Sequence, residues 1–273
     1  MSTVCHDAAR AWVHPLITRF VPANTRRYSL SYYTGPSAST NAFGMLVDPA
    51  PAVGQIVAAN EEWVLCKIAR TRFLVCARSL LDLVPPVGST ARITFYAHRG
   101  FDGQRLDAPI EQRHDGHVIR TIVIGGRKAA LPIERSALRS KRLQYMIEQV
   151  ESLLAGDGVR RLAHVLVDAG AHLAPIDFVD PVSELETEPA PMLRFRVRTA
   201  KADGWLELSC DVALDTYALR LVDGEGRVLQ QQTLERFPTL PELVVEWIDD
   251  GTWRRARVEI LKAPRREAAG ATG

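Results

Sequence analysis

No apolar run in this 273-residue chain approaches the roughly 18 consecutive residues that a bilayer-spanning helix requires, so no membrane partner is expected. Residues 1–10 lack the apolar segment of a secretory leader, which argues against export. Cysteine is scarce: the four residues stand far apart at 5, 66, 76 and 210, with no CxxC spacing. That pattern excludes a disulfide framework and a structural zinc site, and points to reduced thiols in a cytoplasmic setting. No serine lies in a GxSxG context, and Gly125-Gly126-Arg127-Lys128 is not followed by the strand-to-helix step of a phosphate cradle. No nucleophile–base arrangement emerges, so no catalytic residue, metal site or cofactor is assigned.

What is present is ordinary globular material, with 47% apolar and 24% charged residues, enough for one large core or two smaller ones. The net charge of +2 is unevenly spread. Residues 1–130 hold 15 Lys/Arg against 9 Asp/Glu, residues 131–175 hold 6 against 5, and residues 176–273 hold 13 against 18. Long-range attraction follows local charge, so any polyanion contact is expected in the N-terminal portion.

Residues 1–26 read as an apolar arm whose short helix, Asp7 to Val13, is interrupted at His14-Pro15 and which docks on the following domain or on a partner. From Arg27 the pattern turns to strands. Tyr28–Tyr33 and Phe43–Val47 are short candidates, and Glu61–Ala69 pairs with Arg72–Arg78 as a hairpin around Arg70-Thr71. Cys66 and Cys76 are candidate neighbours across that hairpin, as buried small hydrophobes. Residues 27–133 are therefore expected to form a small antiparallel β-barrel or meander. Within it, His98–Pro109 is read as a loop, and His117–Ile124 and Arg127–Ile133 as a hairpin around Gly125-Gly126. His114 and His117, separated by two residues in an expected loop, read as an exposed pair without a third ligand.

Apolar spacing at Leu143, Met146, Ile147, Val150, Leu153 and Leu154 predicts a helix over about 136–155, and Leu162, Val165, Leu166, Ala169 and Leu173 predict a second. Residues 134–175 thus form a helical hairpin. A DNA-reading helix-turn-helix is the weaker alternative, with Arg135, Arg139, Lys141 and Arg142 at the start of the first helix. Residues 176–190, rich in acidic residues and proline, are expected to be a linker.

Residues 191–263 read as a compact α+β domain. It has four strands in meander, a helix with the capping box Thr239-Leu240-Pro241-Glu242 and the buried stripe Leu243, Val244, Trp247 and Ile248, and a last strand, Trp253–Leu261. Asp249-Asp250 are expected as solvated surface past the helix, and residues 264–273 as a mobile tail. The fold class is α+β throughout.

The order Tyr33-Thr34-Gly35, Gly54-Gln55-Ile56-Val57, the hairpin ending in Leu74-Val75-Cys76, then Leu80, Pro85-Pro86-Val87-Gly88 and Ile93-Thr94-Phe95-Tyr96 resembles the KfrB-type domain. The resemblance covers about residues 28–98. It implies a small β domain in an accessory protein of a plasmid or integrative conjugative element, a binding module without turnover. Its partner would be nucleic acid or another protein of the mobile element.

Two sets of candidate binding residues follow. Lys67, Arg70, Arg72 and Arg78 crowd the hairpin. Arg194, Arg196 and Arg198 alternate along one strand and share a sheet face with Trp205, the combination used by single-stranded nucleic-acid platforms, with Trp253, Arg255 and Arg257 as further members. Cross-strand ion pairing of those arginines with Glu207 and Asp211 is the competing explanation. The competing function class is a hydrolase-like enzyme with dispersed catalytic residues.

Overall fold

The computed structural model describes residues 3–37, 40, 42, 47–121, 127–183 and 189–264, which form an α+β structure with four helices and three sheets. In chain order, helix α1 (Thr3–Ile17) leads into strands β1 (Ser29–Tyr33), β2 (Ala52–Ala59), β3 (Trp63–Ala69), β4 (Arg72–Ala77) and β5 (Thr90–Thr94). A hairpin of β6 (Ile110–His114) and β7 (His117–Thr121) follows, then helices α2 (Lys141–Ser152) and α3 (Leu162–Asp168). Strands β8 (Asp177–Val179), β9 (Met192–Arg198), β10 (Asp203–Asp211), β11 (Thr216–Asp223) and β12 (Val228–Leu234) precede helix α4 (Leu240–Ile248), and β13 (Arg257–Lys262) is last. The chain divides into two compact units. The first is made of Met1–Pro36, Pro49–Tyr96 and Gly251–Gly273, and the second of Ser37–Asp48 and Ala97–Asp250.

The first unit holds a six-stranded sheet in the order β1-β4-β3-β2-β5-β13. The expected antiparallel barrel is not formed. β1 lies parallel to β4, and β1 and β13 remain as the two edges of an open sheet. Closure would require both edges to pair in a consistent stagger. Here a single parallel bridge, Leu81 to Ala256, and the Tyr33 hydroxyl donating to the Arg254 carbonyl at 2.9 Å reach across instead. Register shifts at Ile56/Ala58, Lys67/Ala69 and Ile260/Lys262 bend the strands. One face of the sheet contributes Tyr33, Ile56, Cys66, Leu74, Cys76, Ile93 and Val258 to a common core. The other receives α1, whose Ala9, Val13 and Ile17 pack on Trp63, Leu65, Phe73 and Val75.

β3 and β4 are thus buried on both faces, which is why they read as unbroken apolar runs rather than alternating ones. The arm does dock on this domain, and its helix runs through Pro15 to Ile17 instead of stopping before it. A proline near the C-terminal end forfeits one backbone hydrogen bond, and burial of Val13 and Ile17 offsets that loss. Gly54 is required where β2 crosses β3, because a Cβ there would stand 2.4 Å from the Lys67 carbonyl oxygen. Cys66 faces Leu74 and Cys76 faces Val64, so the two free thiols are diagonal neighbours on one buried face. Burial pushes the Cys66 thiol up to about 11 and Cys76 higher still, so neither is reactive.

In the second unit, β12-β11-β10-β9-β8 form an antiparallel sheet in which β9 to β12 run as the expected meander. Leu193, Phe195, Val197, Leu206, Leu208 and Cys210 point into a core shared with α2, α3 and α4. Several boundaries differ from expectation. β13 joins the sheet of the first unit, paired with β5, so residues 191–263 are not one domain. Part of the expected linker is structure: Asp177–Val179 pairs with β9, and the Asp180 carboxylate accepts from the Arg139 and Ser140 amides at 2.9 and 2.8 Å. Its residues 184–188 lie outside the described residues, as do Gly125-Gly126, most of the run at 43–47 and the tail from 265.

His117–Thr121 pairs with Ile110–His114 around Asp115-Gly116, a local turn with both residues at positive φ. α2 spans less than the predicted 136–155, and Leu154 and Leu173 are exposed. The helix-turn-helix alternative fails, because Leu162–Val167 of the short α3 is entirely buried and leaves no face for a groove. The Thr239 side chain makes no cap. Its hydroxyl donates to the Arg236 carbonyl at 2.8 Å instead.

Candidate functional site

The candidate binding residues are distributed over both units and meet different fates. On the second sheet, Arg194, Arg196 and Trp205 do share a face, because β9 and β10 pair with Arg196 opposite Trp205 and Arg194 opposite Glu207. The Arg194 guanidinium lies 4.4 Å from the Trp205 ring centroid and Arg196 5.9 Å from it. These cations are already engaged. Arg194 Nε stands 3.2 Å from Glu207 Oε1, and Arg220 reaches the other oxygen of the same carboxylate at 3.5 Å. Arg196 donates to the Gly204 carbonyl at 2.6 Å and pairs with Asp203, towards which Arg198 also reaches at 4.0 Å. Cross-strand pairing with Glu207 is therefore realised. Asp211 plays a different part, accepting from the amides of Ala213 and Leu214 at 3.1 Å in the β10–β11 turn. Three of the four basic residues around the start of α2 are engaged likewise, with Arg135 on Glu151, Arg139 on Asp180 and Arg142 on Asp215, while Lys141 is exposed.

In the first unit the hairpin residues separate into two pairs. Lys67 Nζ donates to the Phe20 carbonyl at 2.7 Å, holding the chain that follows α1, and Arg78 donates to the Asn60 carbonyl at 3.0 Å. Arg70 and Arg72, at the tip, are exposed and enter no ion pair among the described residues. The parallel pairing of β1 on β4 adds neighbours that sequence order conceals. Ser29 stands opposite Arg72 and its amide donates to the Thr71 carbonyl at 2.9 Å, so Arg26 and Arg27 enter the sheet at the same end as Arg70 and Arg72. All four arginines are exposed.

At the other edge, β13 brings Arg254, Arg255, Arg257 and Lys262 into this unit, all exposed, with the Arg254 guanidinium 5.3 Å from the Trp253 ring and Trp253 edge-on to Tyr96 at 5.0 Å. Arg92, on the neighbouring β5, is neutralised by Glu259 at 2.7 Å. The outcome is a segregation of charge. The first unit carries 15 Lys/Arg against 6 Asp/Glu, a net of +9, while the second carries 19 against 26, a net of −7.

The second unit holds a buried charged network that no sequence motif announced. Arg160 is 1% exposed and fans its guanidinium onto three carboxylates: Nε to Asp157 at 2.8 Å, Nη1 to Asp168 at 2.9 Å and Nη2 to Asp249 at 2.5 Å. Asp249 is thus a structural ligand of Arg160 rather than solvated surface, and Asp250 accepts from the Ala200 amide at 2.9 Å. Beside this network, His98 Nδ1 lies 2.8 Å from Asp48 Oδ1 and Nε2 lies 3.0 Å from the Val159 carbonyl oxygen. Both ring nitrogens face acceptors, so both carry protons and His98 is held as an imidazolium. Burial opposes that charge, but the hydrogen bond and field of Asp48 outweigh it and raise the pKa above the ordinary histidine value.

His164 stacks edge-on to His98 at 4.7 Å, and its Nδ1 accepts from the Arg161 amide at 3.0 Å. It is therefore the neutral partner. Burial first, and the neighbouring His98 charge second, push its pKa down to about 3. Neither ring is placed as a general base, since His98 has no lone pair to offer and His164 uses its own on a backbone amide. His114 and His117 sit at the exposed tip of the β6–β7 hairpin, and no cluster of three metal-ligating side chains occurs among the described residues. No helix among them is long and apolar enough to cross a membrane. Compared with known proteins, the chain matches no family model, and neither a curated protein nor a solved structure matches it.

Proposed function

We propose that this chain is a non-enzymatic binding module whose six-stranded unit contacts nucleic acid through phosphate-directed arginines. The observation that supports the reading is the charge division between the units, +9 against −7, combined with four exposed arginines, Arg26, Arg27, Arg70 and Arg72, at one end of the first sheet. Unpaired surface guanidiniums cost little to bring to a phosphate, because no ion pair has to be broken first. Arg194, Arg196 and Arg142 of the second unit lack that advantage, since they already hold carboxylates. The Tyr96–Trp253–Arg254 cluster on the same unit combines half-buried aromatic rings with a guanidinium, the side-chain types found where proteins bind single strands, which favours single strands over duplex.

Membership among accessory proteins of plasmids or integrative conjugative elements is part of this proposal, supported by the resemblance of residues 28–98 to the KfrB-type domain. The test is fluorescence anisotropy of the full chain with single-stranded DNA, duplex DNA and RNA at low salt. Binding that favours single strands is the expected result. A chain that binds none of them would leave a protein of the same element as the partner.

A further inference from the structure

The two-stranded ribbon of β6 and β7 contributes to none of the core clusters among the described residues. From Glu111 to Thr121 every residue is exposed, the apolar Val118 and Ile119 included, so neither face of the ribbon is packed. A two-stranded hairpin standing alone is marginally stable in water. This one is closed by Asp115-Gly116, at φ 48° and 79°, and by an ion pair from Arg120 Nε to Glu111 Oε1 at 2.8 Å. A two-residue turn with both residues in the left-handed region fixes the register, so the residues that flank it face each other.

Those two residues are histidines: His114 stands directly opposite His117. Directly opposite residues of antiparallel strands share a face, with Cβ atoms about 4.5–5.5 Å apart. That spacing lets two imidazoles converge on one ion from opposite strands, and the backbone has already set it. Both rings are exposed, His114 at 77%, and Asp115 Oδ2 lies 3.5 Å from His114 Nε2, which puts a negative charge beside the pair. The ribbon's two arginines oppose no cation there, because Arg113, across from Val118, and Arg120, across from Glu111, alternate onto the other face. Imidazole suits the late first-row divalent ions, copper before nickel and zinc. An ion held by two such ligands keeps its other positions for water, so no third side chain is required.

We propose that His114 and His117 chelate a late first-row divalent cation, Cu²⁺, Ni²⁺ or Zn²⁺, across the β6–β7 turn, clamping a ribbon that has no core of its own. The inference does not rest on nucleic-acid binding. Isothermal titration of the full chain with NiCl₂ is expected to show a single ion per chain at micromolar affinity. His114→Gln and His117→Gln each remove half of the chelate and leave the cores untouched, since both side chains are exposed. Each should weaken binding by roughly a hundredfold or more, because the second imidazole acts as an intramolecular ligand at high effective concentration. Hydrogen exchange of the amides in 110–121 should slow when Ni²⁺ is added to the parent chain and stay unchanged in either variant, because chelated strands cannot separate. Absence of binding, or binding that survives both replacements and so belongs to another histidine, would overturn the proposal. So would a bound ion that leaves exchange in 110–121 at its metal-free rate.

Discussion

Replacing Arg160 by Met keeps most of the apolar stem and removes the guanidinium, leaving Asp157, Asp168 and Asp249 facing one another. The side chains of these three carboxylates are only 8%, 20% and 11% exposed, so water cannot replace the lost partner. Breaking a buried ion pair from one side costs about 3–5 kcal/mol, most of it the penalty of uncompensated charge. For a unit of this size that corresponds to a fall in melting temperature of roughly 6–20 °C. The pH dependence distinguishes this cause from simple loss of packing. Although burial works against it, the Asp157 carboxyl is held below the ordinary carboxylate range by hydrogen bonds from the Arg160 and Val159 amides and the Arg160 guanidinium. In the parent chain this group contributes stability above its unfolded pKa of about 3.9, lost as pH falls through the lower folded value. In Arg160→Met the sign reverses, since crowded carboxylates gain protons on folding and acid relieves the defect. Urea titrations of parent and variant at pH 7 and at about pH 4.5 should therefore show a gap that narrows on acidification. A variant within about 1 kcal/mol of the parent at neutral pH, or a gap indifferent to pH, would refute the electrostatic explanation.

The histidine pair limits stability from both sides of neutrality. His98, with its raised pKa, contributes stability present below the unfolded value of about 6.5 and lost as pH rises through the folded value; His164, held at about 3, is protonated first in the unfolded chain, so stability falls as pH drops from about 6.5 towards 3. His164→Phe should flatten the acid limb in thermal melts across pH, and an unchanged limb would show that His164 does not set it. In α4, Trp247→Ala should cost about 3–5 kcal/mol because the ring is 8% exposed, whereas Thr239→Ala should stay within about 0.5 kcal/mol because no cap is lost, both read from chemical denaturation.

The sequence carries most clearly those elements whose two faces see different environments. β9 and β10 alternate because one face is core and the other is the arginine face, and α2 shows its stripe because only Leu143, Met146, Ile147 and Val150 are buried. It carries little about which strands become neighbours. β13 reads as the last strand of the C-terminal segment, yet its hydrogen bonds go to β5, more than 160 residues earlier in the chain. The parallel pairing of β1 on β4 is equally invisible, and with it the gathering of Arg26 and Arg27 beside Arg70 and Arg72. Of the residues singled out for binding, Arg70 and Arg72 are exposed and enter no ion pair among the described residues; Arg194 takes the Glu207 partner that strand alternation suggested, while Lys67, Arg78 and Arg196 have partners that no local pattern reveals. The Arg160 and His98 clusters draw on residues from 48 to 249, so only the Asp157–Arg160 spacing could have hinted at them.

The central claim is that exposed arginines of the first unit, without ion pairs among the described residues, meet phosphate. Its most direct measurement is the salt dependence of single-stranded DNA binding by the full chain, followed by anisotropy from roughly 50 mM to 200 mM salt. The logarithm of affinity should fall linearly with the logarithm of salt concentration, as each neutralised phosphate releases condensed counterion. Replacing Arg70 and Arg72 by Ala should lower that slope by roughly one unit per lost contact, whereas Arg196→Ala, which removes an ion-paired guanidinium of the other unit, should leave it unchanged. No detectable binding at the lowest salt, or a slope that Arg196→Ala lowers and the Arg70 and Arg72 replacements do not, would contradict it.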